Sequence, residues 1–302
     1  MDPSGNDASS SASAQTGGVV YVQGIPTTKT RLTLAGKLSV SPMAIGTWAW
    51  GDSTWGYKPE MLDDIKATWD ALQDESVGIN FFDTAEVYGK GESERIIGGF
   101  LEKQKKDEGY TKATAPIIAT KFIPFPWKLS YPGCLLSALK GSMERLGVDV
   151  VDLYQIHGPI HLRSIEVVAD ALAEAVKQGL VKTVGVSNYS TDQMVRMHTR
   201  LASHGIQLAS NQVEFSLLRR YPETTGLIAK CHELGVAVLA YSPLGMGRLS
   251  GKYSASNPPP SGRWFSDYPM EKLAPLLAAM EKISKERNVP MTAGKLNILF
   301  IY

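Results

Sequence analysis

Cysteine is scarce in this chain, with only Cys134 and Cys231 among 302 residues. Two thiols cannot build a disulfide framework, and they read as reduced residues of an intracellular protein. Neither sign of charge is in excess. The 31 Lys and Arg nearly balance the 30 Asp and Glu, for a formal net charge of +1, so no bulk attraction to nucleic acid or to an anionic membrane is expected. No apolar run approaches the roughly 18 residues of a membrane-crossing helix. Histidine is limited to five. The close pair His157 and His161 is interrupted by Pro159, which prevents the helical spacing that would place both on one face. No third ligand is apparent, so no metal site is expected. The first 23 residues hold Asp2 and Asp7 but no Lys or Arg. They lack the basic and apolar regions of a secretory signal and the arginines of a transit peptide. Residues 1–30 are expected to be a disordered tail. The cytoplasm is the default location, with an organelle such as the chloroplast as the weaker alternative.

What the chain does have is an apolar fraction of 43% and, from about residue 31, a regular alternation of short apolar runs and amphipathic stretches. RLTLAGKLSV reads as a hairpin around Ala35-Gly36. Strands are expected in PMAIGTW, INFFD, PIIATK, VVDLYQIH, VKTVGVSN, QLASNQVEF and VAVLAYSP. Helices are expected in DDIKATWDALQDESVG and over 93–105, 135–146, 165–178, 191–203, 223–234 and 271–287, several stopped by glycine. Continuously apolar, Val/Ile-rich strands suit a parallel sheet covered on both faces. Seven βα units of roughly 30 residues predict an α/β fold, a (β/α)8 TIM barrel. A doubly wound sheet is the alternative. It is disfavoured because polar residues follow nearly every strand rather than gathering at one crevice. The eighth strand is missing or incomplete in this reading, with KLNILFIY at the end of the chain as its improvised candidate.

Four polar residues sit just past successive strands: Asp83 and Tyr88 in FFDTAEVYG, Lys121 in IIATKF and His157 in VDLYQIHGP. A phenol of pKa near 10 is a poor proton donor at neutral pH unless a neighbouring cation lowers it. Lys121 is expected to supply that charge, Asp83 to pair with Lys121, and His157 to hold or polarise a substrate oxygen. Each residue alone has an ordinary structural explanation; four in order at strand ends point to one pocket for carbonyl reduction. A second group lies in VGVSNYS, ASNQVEFS and AYSPLGMGRLSGKY. Ser187, Asn188 and Gln212 suit a carboxamide, and the ring of Tyr241 could stack on a nicotinamide. The Gly-rich segment after Tyr241 offers backbone N–H groups, with Arg248, Lys252 and Arg263 as phosphate partners. No GxGxxG follows an early strand, so a Rossmann cofactor site is not supported. Trp50, Trp55 and Trp127 read equally as an aromatic wall for a planar substrate or as packing at the barrel rim.

From about residue 31 to about 293, the motifs GTWAWG, FFDTAEVYG, ATKF, VDLYQIH, GLVKTVGVSNYS, SNQVEFSLL and YSPLGMGRLSGKY resemble the aldo-keto reductase superfamily. They are most similar to a plant and fungal branch that includes pyridoxal reductase-like enzymes, and more distantly to potassium-channel β-subunits. The resemblance implies an NADPH-dependent oxidoreductase (NADPH/NADP as cofactor) that reduces aldehydes or ketones, with pyridoxal a candidate, by direct hydride transfer and without metal. It implies Tyr88 as proton donor, Lys121 as its tuner, Asp83 as the orienter of Lys121 and His157 as the orienter of the carbonyl. Thr47 and Trp48 match positions lining the nicotinamide end, and Ser187, Asn188, Gln212 and Tyr241 its clamp. Ser242, Pro243, Leu244 and Lys252 match the pyrophosphate loop, as does Arg263. The family continues into an eighth strand and a segment that binds the adenosine 2′-phosphate. Here the match ends after Thr292-Ala293. The reductase domain, 31–302, is therefore expected to be C-terminally truncated. The expected partner is a small-molecule carbonyl substrate, with neither nucleic acid nor membrane, and the oligomeric state is not legible. Two other readings are a cofactor-binding regulatory subunit and a catalytically silent truncated partner protein. The histidine at 157 counts against the first, because the channel subunits carry asparagine there.

Overall fold

The computed structural model describes residues 27–72, 74, 76–106, 116–260 and 268–292. Two short strands, β1 (Leu32–Leu34) and β2 (Leu38–Val40), form the expected antiparallel hairpin. Ala35 and Gly36 both take positive φ, 47° and 66°, and Lys37 N–H closes the turn on Leu34 O at 3.0 Å. That is the turn whose twist matches a hairpin's strands. The folded part begins slightly earlier than expected. Thr30 N–H bonds to Thr27 O, and a Cβ on Gly78 would lie 2.1 Å from Thr28 O, so this turn passes directly over Gly78.

Seven parallel strands follow: β3 (Ala44–Gly46), β4 (Phe81–Asp83), β5 (Ile117–Phe122), β6 (Val151–Ile156), β7 (Val181–Ser187), β8 (Leu208–Glu214) and β9 (Ala237–Tyr241). They pair in sequence order without a reversal, so the doubly wound alternative, which requires a switch point, is excluded. Among the described residues no ladder joins β9 to β3. The KLNILFIY segment, the Arg263 position and residues 1–26 of the expected tail lie outside the described residues.

The helices are α1 (Leu62–Leu72), α2 (Glu92–Gln104), α3 (Gly133–Leu146), α4 (Ile165–Lys177), α5 (Thr191–Ala202), α6 (Tyr221–Thr224), α7 (Leu227–Glu233) and α8 (Met270–Arg287). The single helix expected over 223–234 is in fact α6 and α7. Gly226, at φ +75°, breaks it. Ser190 starts α5 with a reciprocal capping box to Gln193, and Ser164 caps α4, which satisfies backbone donors that a helix start leaves open.

Among the described residues three apolar clusters pack on the strands, and a fourth, smaller one seats α8 against Tyr253. Leu34, Leu38 and Val40 of the hairpin pack with Phe81, Ala119, Leu153, Ala209 and Ala237 from five strands. These strand residues lie well before the strand ends, so the hairpin plugs the N-terminal mouth and leaves the opposite end free. A large cluster fills the space between β5–β8 and α3–α5. A third joins α1 and α2 to β4 and β5 around Trp50, Trp69, Phe82 and Phe100. The approach of α2 to α3 depends on a missing side chain. A Cβ on Gly98 would sit 2.3 Å from Arg145 O, whereas one on its neighbour Gly99 would meet nothing within 4 Å. Gly98→Ala is therefore expected to lose about 1–3 kcal/mol from forced helix separation, while Gly99→Ala gains up to about 1 kcal/mol from helix propensity. Urea unfolding of the two variants checks this, and equal effects would contradict it. No described helix is long and apolar enough to cross a membrane.

Candidate active site

The site lies past the C-terminal ends of the strands, the end that the hairpin leaves open. Here βα turns deliver side chains from several strands to one place, and active sites of such parallel α/β folds are built there. A cavity of about 590 Å³ opens there, lined by residues that include Trp48, Tyr88, His157, Asn188, Gln212 and Tyr241.

Strand register sets the inner layer. Lys121 pairs with Gln155 and Gln155 with Gly185, one level across β5, β6 and β7. Lys121 is fully buried. Its ammonium donates to Asp83 Oδ2 at 2.5 Å, to Thr84 O at 2.9 Å and to the Tyr88 hydroxyl at 3.2 Å. The other Asp83 oxygen accepts from Gln155 Nε2 at 3.1 Å and Gln212 Nε2 at 2.9 Å. The carboxylate is thus held from both sides, as a buried charge must be. Burial alone would lower the Lys121 pKa, but Asp83 and Tyr88 outweigh it and raise the value, so the ammonium stays charged.

Tyr88 opens a tight turn, Tyr88–Gly91, whose next residue must be glycine. Gly89 has φ +55°, and a Cβ there would lie 2.2 Å from Gly51 O. The Tyr88 ring stacks on Trp48 at 5.5 Å and meets His157 edge-on at 5.6 Å. The expected lowering of the Tyr88 pKa needs correction. Burial raises it, Asp83 and Asp52 add to the rise, and the pull of Lys121 does not offset them. The phenol is therefore fully protonated at neutral pH. His157 is also buried, and burial, reinforced by Lys121, lowers its pKa to about 3. The imidazole is neutral throughout the physiological range. Its Nδ1 is buried without a hydrogen-bond partner among the described residues.

The second expected group also converges. Ser187 Oγ donates to Gln212 O at 2.9 Å, Asn188 Nδ2 to Ser187 Oγ at 3.1 Å, and the Tyr241 hydroxyl to Asn188 Oδ1 at 3.0 Å. Asn188 adopts φ +60° and Ser242 φ +50°, which turn the chain sharply at the ends of β7 and β9. Burial, with Glu214 nearby, pushes the Tyr241 phenol up to about 12. Gln212 also lines the cavity, where its amide nitrogen donates to Asp83 Oδ1.

Thr47 is a correction. It is fully buried and its hydroxyl is shared between Asp83 O at 3.0 Å and Ser93 Oγ at 2.8 Å. It ties β3 to β4 and α2 and does not line the cavity. Ser242 and Met246 reach the cavity, whereas Pro243, Leu244 and Lys252 of the same loop are not among its lining. Lys252 is exposed, with Nζ 5.7 Å from the Tyr253 ring centre. Arg248 is buried, and its Nε and Nη1 have no hydrogen-bond partner among the described residues. Of the three tryptophans considered as an aromatic wall, only Trp55 lines the cavity, edge-on to Trp48 at 5.0 Å. Trp50 is core packing, and Trp127 is 72% exposed and stacked on Phe125.

Sequence reasoning missed Gln155 and Asp52. Gln155 was findable, because it lies two residues before His157 and strand alternation puts both on one face. Asp52 carries no such signal. It is brought in by the turn after β3, where its carboxylate accepts from Trp48 Nε1 at 3.0 Å, Thr54 N–H at 2.9 Å and Gly89 N–H at 3.3 Å.

Known proteins share this sequence and this fold. The model of the Aldo/keto reductase family matches residues 42–296. The chloroplastic pyridoxal reductase of Arabidopsis thaliana is 39% identical over 274 residues, spanning 87% of this chain and 73% of that one. The glycerol dehydrogenase structure from Gluconobacter oxydans superposes with a TM-score of 0.72 at 27% identity, covering 89% of this chain and 82% of the other. An aldo-keto reductase from Klebsiella pneumoniae, solved in complex with NADPH, gives 0.58 at 25% identity over 69% of this chain and 66% of its own. The sequential parallel strands are thus those of a (β/α)8 barrel, and the chain belongs to the aldo/keto reductase family.

Proposed function

We propose that this chain reduces the carbonyl of a small aldehyde or ketone with NADPH, and that Tyr88 delivers the proton. The observation that carries this reading is the contact between the buried Lys121 ammonium and the Tyr88 hydroxyl, with Asp83 behind it. As the phenol gives up its proton to a substrate oxygen, negative charge develops 3.2 Å from a fixed ammonium. That charge is stabilised at the moment it appears, in a site from which water is largely excluded. The raised resting pKa keeps the donor loaded, and Lys121 acts on the product phenolate. Neutral His157 carries one ring proton. With Nδ1 unpartnered, the Nε2–H tautomer lets the imidazole donate to the same oxygen and orient the carbonyl.

The residues present fit a nicotinamide dinucleotide. Asn188 and Ser187 line the cavity and offer amide and hydroxyl groups beside the ring of Tyr241. Arg248 lies on the loop beyond Ser242, outside the cavity lining, and its buried Nε and Nη1, without partners among the described residues, are the donors that it would turn to a phosphate oxygen. When bound, the dinucleotide supplies the hydride for the carbonyl carbon. The residues of this chain hold it, exclude water and move the proton. Pyridoxal is the substrate we put forward, on the likeness to the Arabidopsis enzyme and on the flat faces of Trp48 and Trp55.

The cofactor assignment predicts opposite effects of Arg248→Met. Removing a buried charge that has no ion pair among the described residues should stabilise the ligand-free chain. Removing a charge-assisted phosphate contact should weaken NADPH about tenfold or more. Thermal melting and calorimetric titration, with NADH run in parallel, read the two effects. NADPH binding unchanged in the variant would remove Arg248 from the site. No binding of NADPH by the wild-type chain would contradict the reading itself.

A further inference from the structure

The cavity lining carries charge of one sign. Among its described lining residues are two carboxylates, Asp52 and Asp83, and neither Lys nor Arg. Asp83 is neutralised by Lys121, which holds it directly. Among the described residues Asp52 has no cation as a hydrogen-bond partner; Trp48, Thr54 and Gly89 all donate to it as neutral groups. Two of these partners are parts of the reaction site. Trp48 is stacked on Tyr88, and Gly89 follows it in the chain. The carboxylate therefore stands, among the described residues, as a negative charge without an ion pair beside the proton donor, fixed in position by several hydrogen bonds.

Its ionisation follows from the same contacts. Burial pushes its pKa up, but the hydrogen bonds from Thr54, Gly89 and Trp48 outweigh burial and hold it below the ordinary carboxylate value. Donors that satisfy the charged form favour it.

We propose that Asp52 sets substrate charge. The pocket takes neutral or cationic carbonyl compounds and rejects those with a carboxylate or phosphate on the body of the molecule. The inference rests on the reductase reading of the same site. A like charge a few ångströms away in a partly desolvated cavity is strongly repelled, whereas a cation there is attracted. Selection of this kind needs no new contact to the preferred substrate; it works by an unfavourable contact with the wrong one.

The test uses two aldehydes of matched shape, para-formylbenzamide and para-formylbenzoate, whose far ends are a neutral amide and a carboxylate. Two quantities are measured on the whole chain: kcat/KM with NADPH, and calorimetric binding in the presence of NADP+. In the wild-type chain both should favour the amide by about tenfold or more, the scale of one screened like-charge contact. In Asp52→Asn the amide-to-benzoate ratio should fall toward unity, with folding checked by thermal melting. Equal handling of the two aldehydes by the wild-type chain would overturn the proposal without any variant. A ratio unchanged in folded Asp52→Asn, with both aldehydes slowed alike, would also overturn it and assign Asp52 to holding the Tyr88 turn. Preferential binding of the amide with no reduction of either aldehyde would instead uphold the charge selection and refute the reductase reading.

Discussion

Tyr88→Phe is expected to reduce aldehydes more slowly by about a hundredfold to ten-thousandfold, the usual range for loss of a positioned proton donor. The loss should appear in kcat, with NADPH affinity retained, because the phenol acts on the substrate oxygen. The stacking on Trp48 uses the ring, which phenylalanine keeps, so the fold should survive. The pH profile of the wild-type enzyme follows from the same geometry. His157, with its pKa lowered to about 3, contributes no limb between pH 5 and 8. The raised Tyr88 value places loss of the donor above the ordinary phenol range. Steady-state rates of both proteins across pH check this. Equal rates would sink the assignment of Tyr88, and a limb near pH 6.5 would show that His157 titrates.

Lys121→Met is expected to have the second large effect, on stability as well as rate. It leaves the Asp83 carboxylate, 13% exposed, without its cation. Breaking one side of a buried pair costs about 3–5 kcal/mol. Gln155 and Gln212 still donate to Asp83 Oδ1, which puts the expectation toward the lower end of that range. Adding Asp83→Asn removes the stranded charge, so the double variant should be more stable than Lys121→Met alone, the non-additivity expected of contacting residues. Neither should recover activity, because the developing phenolate has lost its ammonium. Urea unfolding of Lys121→Met, of Asp83→Asn and of the double variant measures this. Simple additivity would show that the pair is not the unit described here.

Asp83, Tyr88, Lys121 and His157 were legible in the sequence because each sits in or just after an apolar strand, and a parallel barrel brings such positions together whatever the loop details. The register pairing Lys121 with Gln155 follows from that same regularity. The sign of the Tyr88 pKa shift was not legible. It depends on whether burial exceeds the field of one ammonium, and burial is a property of the packed site. Thr47 was misplaced for a similar reason. Its neighbour Trp48 lines the cavity, and only the hydroxyl contacts to Asp83 and Ser93 reveal that Thr47 points into the framework. The break at Gly226 was hidden because a glycine inside a helical pattern is tolerated or not according to context. Asp52 escaped because an aspartate after a Gly-rich turn ordinarily signals a cap, and it does cap the short turn at Ser53–Trp55. Its place in the cavity wall is set by Gly89, 37 residues away in sequence.

In the proposed reaction this chain passes a hydride from NADPH to a carbonyl carbon while Tyr88 supplies the proton. The most direct measurement incubates the wild-type chain with pyridoxal and NADPH carrying deuterium at the nicotinamide C4, and examines the product by mass spectrometry. The account predicts the alcohol with one deuterium on the carbinol carbon. No alcohol from pyridoxal or from para-formylbenzamide, or alcohol without the label from either stereochemical form of the deuterated cofactor, would contradict it.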